Sequence, residues 1–266
     1  MSTPAELLAL LGVGALAGIV GTVASLASIV SYPALLALGL PPVSANVTNT
    51  VALMFTGIGA AAGSRPELAG QGRRVLRLGL LTAAGGGVGA ALLLLTPSRT
   101  FVYAAPALIA LGSVVILRPP APVPSAPAPV VGASGKPAGA ATVTDGERGW
   151  LPRLATFTVA VYVGYFGAAG GILLLAVLIR MLQQSLARTN AVKNVVSSLA
   201  NAVAGIGFAI FGPVRWAAVV PLAAGFLIGG WVGPWLVRRL PARGLRVFVG
   251  VCGLALAIRL GVSAYG

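Results

Sequence analysis

The stretch Leu154–Leu182 reads LATFTVAVYVGYFGAAGGILLLAVLIRML. A transmembrane helix needs about 20 mostly apolar residues, so this run is too long for one crossing and too short for two comfortable ones. Gly167, Gly170 and Gly171 interrupt it in the middle. The run Leu7–Leu40 has the same character, broken by Gly21, Ser25 and Ser28 ahead of Tyr32-Pro33. Such breaks suit a helical hairpin that enters and leaves by one face, or a pair of short tilted helices. Around them stand six ordinary apolar spans: Asn46–Ala62, Leu78–Leu95, Thr100–Leu117, Ala191–Phe211, Trp216–Val237 and Gly244–Ala264. The expected fold is an all-α integral membrane protein of about eight to ten helices. It divides into two inverted-topology repeats, each a broken or re-entrant helical hairpin followed by three transmembrane helices.

Composition supports lipid as the solvent. Hydrophobic residues make up 58% of the 266 and charged residues 8%, with a mean hydropathy of +0.98. No soluble domain of this length needs that much apolar chain. The net charge of +14 would suggest nucleic acid in a soluble protein, but these basic residues sit between apolar spans without interleaved aromatics. They are read as topology-setting charge beside anionic lipid, with no nucleic-acid partner. Residues 1–118 form the first transmembrane half and 151–266 the second. Between them, 119–150 is a Pro/Ala-rich flexible linker that opens Pro119-Pro120-Ala121-Pro122. Within it, Gly132 to Lys136 lacks the spacing and the following Ser or Thr of a phosphate loop. The chain has no histidine and a single cysteine, Cys252. That removes disulfides, His-assisted nucleophiles and the commonest metal ligand, so neither an enzyme nor a cofactor or metal site is expected. Acidic residues are limited to Glu6, Glu67, Asp145 and Glu147, none deep in a span, which argues against a carboxylate proton relay or cation site.

Charge decides the topology. If each broken stretch returns to its own side, one side of the membrane collects Arg65, Arg73, Arg74, Arg77, Arg118, Lys136, Arg148, Arg153, Arg180, Arg188, Lys193, Arg238, Arg239, Arg243 and Arg246. The other side keeps only Arg99 and Arg215, with Arg259 inside the last span. Treating each break as one simple crossing erases that bias. The positive-inside rule therefore favours the inverted arrangement, with both termini extracytoplasmic and the linker cytoplasmic in an inner or plasma membrane.

An internal repeat carries the candidate site. Aligning Ala45–Val51 with Thr189–Val195 sets Asn46 on Asn190, Asn49 on Lys193 and Thr50 on Asn194, while Gly18 to Gly21 matches Gly164 to Gly167. In the second half Asn190, Asn194, Ser197, Ser198 and Asn201 fall on one face of a 3.6-residue period. Ser, Thr and Asn often serve only as hydrogen-bonded glue between helices. Clustering at paired helix openings points instead to a substrate site of Asn46, Asn49, Thr50, Asn190, Lys193, Asn194, Ser197 and Asn201. The glycines and serines at 21, 25, 28, 167, 170 and 171 would let backbone approach the guest. Lys193 carries most weight, because an ammonium in an apolar helix needs water, a partner or an anion. Its plain alternative is snorkelling to the cytoplasmic interface, the reading preferred for Arg259. Trp216, Trp231 and Trp235 read as interface-belt residues.

Taken together, several segments resemble the sulfite exporter TauE/SafE family, also called the toluene-sulfonate uptake permeases. They are Gly18-Ile-Val-Gly21 leading to Ser31-Tyr-Pro-Ala-Leu-Leu36, then Pro42-Val-Ser-Ala-Asn-Val-Thr-Asn-Thr50. In the second half they are Gly164-Tyr-Phe-Gly-Ala-Ala-Gly-Gly171, Asn190-Ala-Val-Lys-Asn-Val195, Ala200-Asn-Ala-Val203, Gly212-Pro-Val-Arg-Trp216 and Gly229-Gly-Trp-Val-Gly233. The resemblance implies a secondary permease for sulfite, a sulfonate or a related small anion, with no cofactor and no ATPase partner. The alternative from another class is a non-transporting membrane scaffold or regulatory subunit. Whether the chain forms a homo-oligomer is open at this point.

Overall fold

The structure, a computed structural model, describes residues 3–117, 149–167, 170–182 and 184–237, with 251, 254, 255, 257, 258, 261 and 262. Most of the linker, Cys252, Arg259 and the arginines at 238, 239, 243 and 246 lie outside the described residues. Among the described residues the fold is all-helical, with no strand. The helices are α1 (Pro4–Ala24), α2 (Ala27–Ala37), α3 (Pro42–Gly63), α4 (Arg65–Leu68), α5 (Gly72–Leu95), α6 (Ser98–Leu117), α7 (Trp150–Tyr165), α8 (Gly170–Leu182), α9 (Leu186–Phe211) and α10 (Trp216–Val237).

Helix boundaries follow local chemistry. Thr3, Pro4 and Glu6 open α1, with the Glu6 N–H donating to Thr3 Oγ1 at 3.3 Å. The helix stops at Ser25, whose backbone turns left-handed with φ of 64° while its N–H donates to the Gly21 carbonyl at 2.9 Å. Ser25 is the one non-glycine residue with positive φ among the described residues, a conformation costing roughly 1–2 kcal/mol. In the second broken stretch α7 ends beside Gly167, which takes φ of 74° as glycine freely does. The two breaks are not built alike. Helix α1 has 21 residues and is long enough to cross a bilayer, whereas α7 has 16. Their successors α2 and α8 are short apolar helices of 11 and 13 residues. The first stretch is therefore a helix long enough to span followed by a short helix that packs on it, rather than two equal short helices.

Among the described residues, four helices are long and apolar enough to cross a membrane: Pro4–Val23, Gly72–Leu95, Leu186–Phe211 and Trp216–Leu236. Their outward faces carry exposed apolar side chains, among them Leu80, Ile210, Phe211, Val220 and Trp231. In water such a surface would drive aggregation, but in lipid it is the expected exterior. Trp216, Trp231 and Trp235 are exposed on that exterior.

Packing exchanges partners between the halves. Helix α1 lies on α10, and α7 lies on α5; α3 also packs on α10, and α9 on α5. Small residues allow both main contacts. Gly14 and Gly18 of α1 meet the backbone of Gly225 and Gly229 on α10, so a methyl group at any of them would strike main-chain atoms. Ala160 and Gly164 of α7 meet Gly85, Gly86 and Gly89 of α5 in the same way. Lipid supplies no hydrophobic drive between helices, so such four-residue spacings of small residues bring backbones close enough for van der Waals contact to hold the bundle.

At the centre α3 crosses α9, with Gly57 against Ser198 and Gly205 against Val51. Ser44 Oγ at the start of α3 donates to the Pro213 carbonyl just past α9, at 2.7 Å. Beyond the other end of α3, the Ala69 carbonyl accepts from Arg188 Nη2 at 3.0 Å, beside the start of α9. The two helices therefore run antiparallel. Buried Arg74 donates to Gln184 across the same end.

Candidate functional site

Both helix breaks meet the α3–α9 crossing. Gly171, just inside α8, packs against Ser25, and Gly167 stands beside Ser28. A cavity of about 60 Å³ lies between them, lined by Gly21, Thr22, Ser25, Ala27, Ser28, Leu53, Thr56, Ala60, Val163, Gly167, Gly171, Lys193, Asn194, Ser197, Ser198 and Asn201. At ~15 Å³ per water-sized group, that space suits a guest of a few heavy atoms.

Lys193 is the one ionisable side chain among the described lining residues. It is 2% exposed, and its Nζ donates to Ser25 Oγ at 2.6 Å. No carboxylate pairs with it among the described residues. Glu6 sits in the first turn of α1, a helix length away from Ser25, and Glu67 lies on α4. A snorkelling lysine keeps its head group in water, whereas this side chain is buried and turns to Ser25 in the other broken stretch. An uncompensated ammonium at such depth costs on the order of 3 kcal/mol, which one serine hydroxyl offsets only in part.

The predicted polar residues separate into two groups. Lys193, Asn194, Ser197 and Asn201 line the cavity, as do Gly21, Ser25, Ser28, Gly167 and Gly171. Asn46, Asn49, Thr50, Asn190 and Gly170 do not. Asn46 Nδ2 donates to the carbonyl of Tyr165, the last residue of α7, at 3.0 Å. Its repeat counterpart Asn190 donates to the carbonyl of Thr22, near the end of α1, again at 3.0 Å. Each amide thus satisfies a carbonyl at the terminus of the opposite half's broken helix, where the chain ends without the following turn that would otherwise bond it. Asn49 ties α2 to α3, accepting from Ser31 Oγ at 2.6 Å and donating to Ser28 Oγ at 3.2 Å. Thr50 returns its hydroxyl to the Asn46 carbonyl at 2.9 Å. Gly170 gives space to Val163 and Tyr162.

Two polar residues of the described lining escape a reading of the sequence by motif, Thr22 and Thr56. Thr22 bonds the carbonyls of Gly18 and Ile19 within α1. Thr56 lies seven residues after Asn49 and would have entered an extended polar stripe on α3. No group of three or more His, Cys, Asp or Glu that would hold a metal occurs among the described residues.

A comparison with family models matches the one described as "Sulfite exporter TauE/SafE" over residues 10–260. No curated protein and no solved structure matches the chain.

Proposed function

Because the chain belongs to the sulfite exporter TauE/SafE family of membrane transporters, we propose that this multi-pass membrane protein is a secondary permease whose central cavity binds a small sulfur-containing or organic anion. The observation that carries this reading is the buried Lys193 amino group, held by one hydroxyl and by no carboxylate among the described residues. A negatively charged guest beside it supplies the missing counter-charge, and a charge in low dielectric is strongly favoured by such a partner. Lys193, Ser25, Asn194, Ser197 and Asn201 then contact the substrate. Asn46, Asn49, Thr50 and Asn190 hold the frame by bonding backbone and serine groups.

The halves act as inverted repeats in this proposal, moving against one another around the cavity. Antiparallel α3 and α9, the exchanged pairing of α1 with α10 and α7 with α5, and the reciprocal Asn46 and Asn190 bonds all support it. The segments near Arg65 to Arg77 and Arg180 to Arg188 meet at one end of the bundle, while Arg215 lies at the other, where its N–H bonds Thr48. That grouping accords with a cytoplasmic, positively charged end in the inner membrane and with both termini outside. Reporter fusions after Gly266 and within the linker should fall on opposite sides; a shared side would break the topology.

The function is tested with purified protein in liposomes. Labelled sulfite or sulfonate flux is expected, and Lys193→Met should lower it by at least about tenfold, the loss of one charge-assisted contact. Removing an uncompensated buried charge should leave thermal stability in detergent equal or higher. Unchanged flux in that variant would exclude Lys193 from the site.

A further inference from the structure

Main-chain contact sorts the helices into two packed bodies that do not coincide with the two halves of the sequence. Helix α10 backs α1 and α3: a methyl group at Gly14 or Gly18 of α1, or at Gly59 or Gly63 of α3, would strike α10 carbonyls. Helix α5 backs α7 and α9 in the same way, with Gly85 against the Phe157 carbonyl and Gly86 against the Ala200 carbonyl. Thr82 adds a bond from α5 to the Val196 carbonyl of α9 at 2.7 Å. The short helices stay with their own stretches, α2 on α1 and α3, and α8 on α7 and α9. One body is therefore α1, α2, α3 and α10, and the other is α7, α8, α9 and α5. Each contains one helix from the opposite half of the chain.

The seam between the bodies is made differently. Where α3 crosses α9, Gly57 meets the side chain of Ser198, and a Cβ at Gly205 would stand 3.4 Å from the Val51 Cα, an ordinary van der Waals distance. Side-chain bonds bridge the seam, from Asn46 to the Tyr165 carbonyl, from Asn190 to the Thr22 carbonyl and from Lys193 to Ser25. Each such bond nets about 1 kcal/mol and is exchanged singly. The cavity lies along this seam. Its lining comes from α1, α2 and α3 on one side and α7, α8 and α9 on the other, with no residue of α5 or α10 among those described. A body held by main-chain contact moves as a unit, whereas a seam of exchangeable side-chain bonds can re-form after a shift.

Resting on the permease reading above, we infer that the bodies rocking around the cavity are the two halves with α5 and α10 exchanged. Helix α5 travels with α7, α8 and α9, and α10 travels with α1, α2 and α3.

Two cysteine pairs on α9 separate this from motion of the unexchanged halves, in protein carrying Cys252→Ser. A Cβ at Gly207 would lie 3.9 Å from that of Ala90 on α5, near the ~3.8 Å spacing of a disulfide. Two residues earlier, Gly205 faces Val51 on α3. Both pairs join the first half of the chain to the second, but only the Val51→Cys, Gly205→Cys pair crosses the seam. In proteoliposomes taking up labelled sulfite, oxidising the seam pair should abolish flux, and reductant should restore it. Oxidising the Ala90→Cys, Gly207→Cys pair should leave flux at its reduced level, with loss of free thiol confirming each link. Where packing rejects a cysteine pair, spin labels on the exposed residues Ile58, Leu80 and Ile210 decide. Sulfite should shift the distance from Ile58 on α3 to Ile210 on α9, and not that from Leu80 on α5 to Ile210. Flux stopped by the Ala90–Gly207 link, flux surviving the Val51–Gly205 link, or a Leu80–Ile210 distance that shifts with sulfite would each overturn the exchange while leaving transport standing. Absence of sulfite uptake in the parent protein would instead defeat the permease reading.

Discussion

Asn49 and Lys193 occupy the same place in the internal repeat, and the molecule uses them in opposite ways. Asn49 turns within its own half, clamping α2 to α3 through Ser28 and Ser31. Lys193 reaches out of its half to Ser25, in the break of the other. One slot stiffens a helix pair and the other brings a charge into the cavity. The difference extends to the breaks themselves. In the first half a serine accepts a left-handed backbone and offers its hydroxyl to the lysine; in the second a glycine makes the turn with no side chain at all. Positions that align in the sequence thus carry different chemistry in the two halves.

Substitutions sharpen that comparison. The largest effects should come where the halves are most alike. Gly18→Ala and Gly164→Ala each drive a methyl group into the main chain of a facing helix, and each should cost about 3 kcal/mol of stability. Thermal unfolding in detergent is the measure. A tolerated Gly164→Ala beside a damaging Gly18→Ala would mean that the α7–α5 contact is looser than its counterpart.

Next comes Asn49→Leu, which removes the bonds from Asn49 to Ser28 and Ser31 and leaves Ser31 only the Ala27 carbonyl; it should destabilise by about 2 kcal/mol. Lys193→Met should be its opposite, lowering flux by at least about tenfold without loss of stability. If Asn49→Leu lost flux with an unaltered melting temperature, the division into a stiffening half and a charged half would collapse. The smallest effects belong to Asn46→Ala and Asn190→Ala, each leaving one helix-end carbonyl unpaired at about 1 kcal/mol. Their matched geometry predicts matched losses in the same melting assay. A clear inequality would show that one half depends on its latch more than the other.

How far the site was legible depends on whether its signal runs along one helix or between helices. The face holding Asn194, Ser197 and Asn201 follows from helical spacing, and the cavity wall uses it. The matching stripe of Asn46, Asn49 and Thr50 has the same look, yet its donors and acceptors are taken up by Tyr165, Ser28, Ser31 and its own helix. Spacing cannot separate the two, because a polar side chain reads the same whether it faces a guest or a carbonyl. The paired small residues on α1, α10, α7 and α5 stood in the sequence at four-residue intervals, but which helices they join depends on the assembled bundle.

By itself, the chain's order of residues determined that lipid surrounds it, that two apolar stretches must break, that the halves correspond, and that a lysine in an apolar helix demands compensation. These are local or additive properties, set by hydropathy, periodicity and the cost of burying charge. Only the tertiary structure decided that Lys193 turns inward to Ser25, that Asn46 and Asn190 bond each other's halves, and that α10 backs α1 and α3 while α5 backs α7 and α9. Those outcomes depend on which backbones approach closely across the bundle, and a contact between residues 168 positions apart, as Ser25 and Lys193 are, leaves no periodic trace in the sequence that makes it.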